Sequence, residues 1–260
     1  MENREGKKWE RYEYILALNL YFKLPFSKMS ARNPEIIKLA NIMGRTNNSI
    51  CLRLVNFASL DPILQSRNIK GMQAGMKTCK PYWDEFSHDK ERLLFESEEI
   101  LARLQNLTIE EKYKPILQDT EGLVGEERIS AIHTRVNQNV FRKMILSIYD
   151  NRCALTGIDI PELLLASHIK PWSEDKENRL NPLNGICLSA LYDKAFDQGL
   201  IGFDQNYRVV LSQEIKENCS KAYFDQYFGI IKNQSLQIPY TEYAPKKDFL
   251  EWHMDYVFRK

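Results

Sequence analysis

The sequence lacks the features that would tie it to a membrane, an oxidising compartment or a bound nucleotide. No apolar run reaches the roughly 20 residues that a spanning helix needs. The opening text MENREGKKWE is charged where a secretory signal would be apolar. Secretion and membrane insertion are therefore not expected, and a cytoplasmic location is. The five cysteines are scattered with no CxxC pair, which points to reduced thiols and gives no support for a zinc clamp. There is no Walker motif, dinucleotide fingerprint or internal repeat, so nucleotide-driven translocation has no basis in this chain. An excess of one charge is missing too, since 36 Lys and Arg stand against 35 Asp and Glu for a formal net charge of +1. What is present is enough material for a core: 260 residues, 43% hydrophobic, suit one large or two modest domains.

The balanced total hides an uneven distribution. From Gly44 to Lys80 the charged residues are Arg45, Arg53, Asp61, Arg67, Lys70, Lys77 and Lys80, a basic excess. Acids dominate from Asp84 to Glu127, and basic character returns with Arg128, Arg135, Arg142, Lys143 and Arg152. Two basic zones flanking an acidic connector suit two DNA contact surfaces, because phosphate contacts dominate nucleic-acid affinity. The plainer reading is solvated surface.

The amino-terminal text reads as helical. Trp9 to Phe22 has apolar residues at helical spacing and stops at Leu24-Pro25. Pro34 to Met43 forms a second helix with proline in its first turn. Gly44 stops it, and Thr46 caps a third helix over Asn47 to Phe57. A helix-turn-helix follows from this order, presenting Arg45, Asn47, Asn48 and Arg53 to DNA while Ile50, Leu54 and Phe57 pack inward. The alternative is a helical packing or dimerisation domain. Ser66 to Lys80 reads as flexible, Pro81 to Leu104 as one long amphipathic helix, and Thr108 to Glu127 as a polar, acid-rich linker. The organisation expected is a helical part over 1–107, a linker over 108–127 and a second domain over 128–260.

The chemistry concentrates between Asn151 and Gly202. RCALTG is followed by LLLASHIKPW, a strand-length apolar run that presents His168 at its end, and by NRLNPLNGICLSALYDKAFDQGLIGF. Asn184 lies in the turn text PLNG. Asp193 and Asp197 are four residues apart, which puts both carboxylates on one helix face. Cys153 and Cys187, without partners at zinc spacing, read as small core residues.

These landmarks resemble the HNH family of endonucleases over about a fifth of the chain. The resemblance implies an α+β architecture, with a helical amino-terminal domain ahead of a ββα-metal nuclease core. It implies that His168 activates water, that Asn184 braces the loop and hydrogen-bonds the histidine into position, and that a divalent ion, Mg2+ or Mn2+, is held by Asp193, Asp197 or both. The preceding text HTRVNQNVFRKMILSIYDN resembles the helix that introduces such domains, with Arg135, Gln138 and Arg142 toward DNA; Lys170 and Trp172 would line the groove, and Arg179 would neutralise the substrate phosphate. WERYEYILALNLYFKLPF and GRTNNSICLRLVNFASLDP resemble text ahead of restriction-type bacterial nucleases of this family. The implied partners are double-stranded DNA and a second copy of the chain, since one such centre cuts one strand. One position departs from the pattern: relatives read histidine-aspartate where this chain has Tyr192-Asp193. A protonated phenol is a poor ligand for a hard cation, so the alternative is a DNA-binding protein with a non-cleaving HNH fold.

Overall fold

The computed structural model describes residues 3–24 and 26–260. Two compact units emerge, Met1–Gln138 and Asn139–Lys260. The expected helix stop at Pro25, and the first two residues of the charged opening text, lie outside the described residues.

The first unit is helical. Helix α1 (Arg11–Lys23) is buried at every residue from Glu13 to Tyr21, as the central helix of a bundle must be. It begins two residues later than its apolar pattern, where the Glu10 amide donates to the Glu13 carboxylate at 2.8 Å. Helix α2 (Pro34–Met43) starts where Asn33 accepts from the Glu35 amide and ends at Gly44, whose φ of 65° is left-handed. Thr46 then accepts from the Ser49 amide to open α3 (Asn47–Ala58). The apolar faces of all three, including Leu16, Leu18, Ile36, Ile50, Leu54 and Phe57, form one core.

Three stretches depart from the sequence expectation. The piece expected to be flexible, Ser66 to Lys80, begins at the end of α4 (Pro62–Ser66), passes through a 3-10 turn at Gln73–Gly75 and ends inside α5 (Met76–Phe86). Its Gly71 lies so close to α3 that a Cβ would come within 2.3 Å of the Ser59 amide nitrogen, so the glycine serves close approach. The single long helix is two, α5 and α6 (Lys90–Leu104), because the Asp89 carboxylate accepts from the Arg92 amide and starts a new helix. The stretch expected as a linker is folded into the first unit: α7 (Ile109–Tyr113) is held by a capping box between Thr108 and Glu111. Tyr113, Leu117 and Thr120 are buried, and the Tyr113 hydroxyl donates to Glu98 at 2.8 Å. Helix α8 (Gly125–Ile148) follows, and the division between the units falls inside it, after Gln138.

The second unit holds the short sheet. Strand β1 (Leu164–His168) pairs antiparallel with β2 (Gly185–Ser189), His168 opposite Gly185. Helix α9 (Ala190–Asp197) follows directly. Gly185 is required by packing: a Cβ there would stand 2.5 Å from Ile145 and 2.7 Å from Phe141 of α8. Beyond α9, β3 (Ile201–Phe203) and β4 (Val209–Leu211) make a hairpin. Two short helices, α10 (Gln213–Glu217) and α11 (Ala222–Phe224), lead into a π-turn over Asp225–Gly229. The last helix is α12 (Lys247–Tyr256). The chain is therefore α+β, a helical amino-terminal part followed by a ββα element. Among the described residues no helix is long and apolar enough to cross a membrane.

Candidate active site

The apolar run before His168 forms β1, and β2 holds that strand's end in register. His168 is the last residue of β1, with its ring stacked on Phe141 at 3.9 Å and edge-on to Trp172 at 5.5 Å. Its Nε2 lies 2.9 Å from the Arg179 carbonyl oxygen. A carbonyl only accepts, so Nε2 carries the proton and Nδ1 presents the lone pair. Burial lowers the imidazole pKa, the Arg179 hydrogen bond opposes this and the Arg179 charge adds to it, so the ring is neutral at pH 7.

Asn184 is completely buried and all its bonds go to backbone. Its Oδ1 accepts from the Lys170 amide at 2.9 Å, while Nδ2 donates to the carbonyls of Lys170 at 3.1 Å and Asn178 at 3.2 Å. The expectation that Asn184 bonds the histidine is thus corrected. Asn184 clamps the chain two residues past His168 and the loop that supplies the Arg179 carbonyl, while the ring is held by that carbonyl.

The carboxylates sit on α9. Ser167, 2% exposed, donates its hydroxyl to Asp193 Oδ1. Burial raises the Asp193 pKa against the Ser167 bond and the Lys194 charge. Asp197 is pushed up to about 6 by desolvation and then by the Asp193 charge. Its side chain remains exposed, so the like charge of Asp193 is the part of this shift the geometry supports best. Two neighbouring carboxylates short of positive charge suit a hard divalent cation, and Mg2+ is commonly held by only one or two, keeping water elsewhere. Among the described residues no three His, Cys, Asp or Glu side chains gather as a metal-binding group; the oxygen-bearing side chains on this face are Asp193, Asp197 and Ser167. Consecutive strand residues face opposite ways: Ser167 turns to α9 and His168 to α8, one residue apart at the end of β1. Ser167 is the residue sequence reasoning passed over, and its signal was a hydroxyl at a buried strand position beside the histidine.

Tyr192 does not occupy the site. It is buried, and its hydroxyl donates to the Tyr227 carbonyl of the π-turn at 2.6 Å. Tyr192 therefore contributes no donor to the carboxylate cluster. Tyr192→Phe is expected to cost about 1 kcal/mol of stability, the worth of one hydrogen bond, with kcat unchanged. Tyr192→His is expected to lower stability and raise no activity; a gain in cleavage rate for Tyr192→His would show this assignment to be wrong.

His253 supports α9 from behind. It is 2% exposed, stacks on Phe196 at 3.8 Å and donates Nε2–H to the Phe196 carbonyl at 3.0 Å, leaving Nδ1 buried without a partner. Burial pushes its pKa down to about 4. The unfolded chain therefore takes up the proton first, and stability present above pH 6.5 is lost as pH falls toward 4, by up to about 3 kcal/mol. His253→Gln keeps a donor and does not titrate. Denaturant titrations at pH 7 and pH 4 are expected to show a smaller acid loss in the variant than in the parent.

Several residues expected to meet DNA are engaged otherwise. Arg45 is buried and Arg53 is half-buried. Arg45 donates to Glu13 at 2.7 and 2.8 Å and to the carbonyls of Arg4, Lys7 and Lys8. The Arg53 guanidinium lies over Trp9 and Tyr14 at 4.5 and 4.8 Å and donates to Thr78. Both serve the first unit's interior, because a guanidinium can satisfy many acceptors only where the chain surrounds it. Arg142 donates to the carbonyls of Leu164 and Pro161, fixing the entry to β1. Arg179 donates Nε–H to the Trp172 carbonyl at 2.6 Å. Arg135 is exposed, paired with Asp119 and bonded to Gln138. Asn48 is exposed and Asn47 half-exposed at the start of α3. Lys170 extends over Phe249 and Trp252.

Residues 153–204, which span β1, β2 and α9, match the family model described as HNH endonuclease. No curated protein matches the chain.

Proposed function

We propose, from the HNH endonuclease domain at residues 153–204, that this chain is a metal-dependent DNA endonuclease of the bacterial restriction type, acting on double-stranded DNA. The observation that carries the reading is His168, fixed by the Arg179 carbonyl with Nδ1 free of its own proton, one residue from the Ser167–Asp193 contact. In this reading His168 Nδ1 takes a proton from water as the water oxygen attacks phosphorus and the phosphorus–oxygen bond to the leaving sugar oxygen breaks. Asn184 holds the two backbone segments that orient the imidazole. Asp193 and Asp197, with the Ser167 hydroxyl beside them, hold the cation. A bound divalent ion supplies neutralisation of charge on the phosphate oxygens. The helix pair α2–α3 serves as the DNA reader, with Asn47 and Asn48 at the surface, and two copies of the chain act together because one centre cuts one strand.

The test is incubation of the full chain with methylated and unmethylated supercoiled plasmid in Mg2+, Mn2+ or EDTA. Discrete, metal-dependent fragments are expected, lost in EDTA and reduced at least about 100-fold in an Asp193→Asn, Asp197→Asn double variant. The methylation arm shows whether modified bases are required. DNA that is retarded in a gel but never cut, in any metal, would overturn the enzyme and leave a non-cleaving DNA-binding protein.

A further inference from the structure

The last helix carries rings, and beside it lie two lysines, that the cleavage chemistry does not use, and the structure ties them to the strand end that holds His168. The Lys246 amide donates to the carbonyl of Leu183, the residue before Asn184, at 3.0 Å. Lys170, whose backbone Asn184 clamps, extends its ammonium over Phe249 and Trp252 at 5.3 and 5.5 Å. The Lys246 ammonium lies over the same Phe249 ring at 5.3 Å. Phe249 itself is buried, whereas Trp252 stacks on Tyr256 at 5.2 Å and Tyr256 is 74% exposed. Spacings of three and four put Phe249, Trp252 and Tyr256 on one stripe of α12, and the acids Asp248, Glu251 and Asp255 on another. Aspartates close to each lysine, Asp175 at 3.8 Å from Lys170 and Asp248 at 3.0 Å from Lys246, hold the ammonium groups in place.

We infer that α12 is a second DNA contact surface, resting on the nuclease reading above. Lys170 and Lys246 bind backbone phosphates flanking the one that is cut, and the exposed Tyr256 ring, backed by half-buried Trp252, lies against the sugar edge. The physical case is continuity with the His168 strand end and the placement of two ammonium groups. Two ammonium groups share one aromatic platform, which restricts their freedom before DNA arrives. Both are anchored through backbone bonds to the segments Asn184 fixes. A lysine keeps three donors on a compact charge, which suits a phosphate but reads no base. The surface should therefore add affinity and position without adding sequence preference.

The experiment uses the full chain with His168→Ala, so that DNA survives, and a fluorescein-labelled 30-base-pair duplex followed by anisotropy from low to high KCl. Adding Lys246→Ala is expected to weaken binding several-fold and to flatten the log–log salt slope by about 0.9, one phosphate contact. Tyr256→Ala is expected to weaken binding with the slope unchanged. Lys221→Ala, which removes an exposed lysine at the start of α11, serves as the control and is expected to change neither. In the cleaving protein, Lys246→Ala is expected to raise KM with kcat retained. A Lys246→Ala slope equal to the parent's, or equal losses in Lys221→Ala, would overturn the inference. If the parent cuts DNA while Lys246→Ala binds normally, this inference fails alone. If the parent never cuts but the slope falls as stated, the nuclease reading fails alone, and absence of any binding removes both.

Discussion

His168→Ala is expected to lower the cleavage rate about 10²- to 10⁴-fold, the range a positioned general base supplies, while DNA affinity stays within a few-fold of the parent. The separation of kcat from binding follows from the geometry. The imidazole makes its one hydrogen bond to a backbone carbonyl and lies flat on Phe141, so its loss removes the proton acceptor without releasing a cation from the DNA surface. Some stability goes with the lost stacking, so melting curves and circular dichroism belong beside the kinetics. Free imidazole restored to the Ala variant should recover part of the rate, with the recovery growing as pH rises through the imidazole pKa. Undiminished cleavage in His168→Ala, with the metal present, would end the assignment of His168 as base.

Glu13→Ala is expected to destabilise the first unit by about 3–5 kcal/mol, the cost of leaving a buried charge unpaired. Glu13 is fully buried and Arg45 nearly so, and Arg45 spends all its donors on Glu13 and three carbonyls. Desolvation pushes the Glu13 carboxyl up, but the hydrogen bonds from Arg45, the Glu10 amide and Arg4 hold it below the usual range. Its contribution is therefore present above pH 4.5 and lost as pH falls further. Arg45→Ala should unfold at clearly lower denaturant, whereas an arginine reserved for DNA would leave stability intact and weaken binding alone. Urea titration and duplex binding on the same variant decide between the two roles.

The difference between these sites is the difference between what was legible and what was not. His168, Asn184 and the carboxylate pair could be picked out because the text packs strand, turn and helix into fifty residues, so neighbours in sequence become neighbours in space. The α2–Gly44–α3 corner was legible for the same reason, since a left-handed glycine and a threonine cap act within one turn. Long-range partners were not. Nothing local distinguishes Arg45 from a surface arginine until Glu13 closes over it from 32 residues away. The departure from the family text at Tyr192 was legible, but not the carbonyl 35 residues on that claims its hydroxyl. The acid-rich stretch 108–127 looked like a linker because three buried residues, Tyr113, Leu117 and Thr120, are few among many charges.

By itself the sequence determined most of the helices and strands and singled out candidate groups at their ends, because helix caps, strand alternation and a histidine at a strand's end depend on residues a few places apart. Tertiary structure decided which polar side chains are free to act. It turned Arg45, Arg53 and Arg142 inward as structural donors, gave His168 its tautomer through the Arg179 carbonyl and placed Ser167 on Asp193. The physical reason is that a hydrogen bond or an ion pair is fixed by distance in space, and a donor whose acceptor arrives from a distant element leaves no mark in its own neighbourhood of the chain.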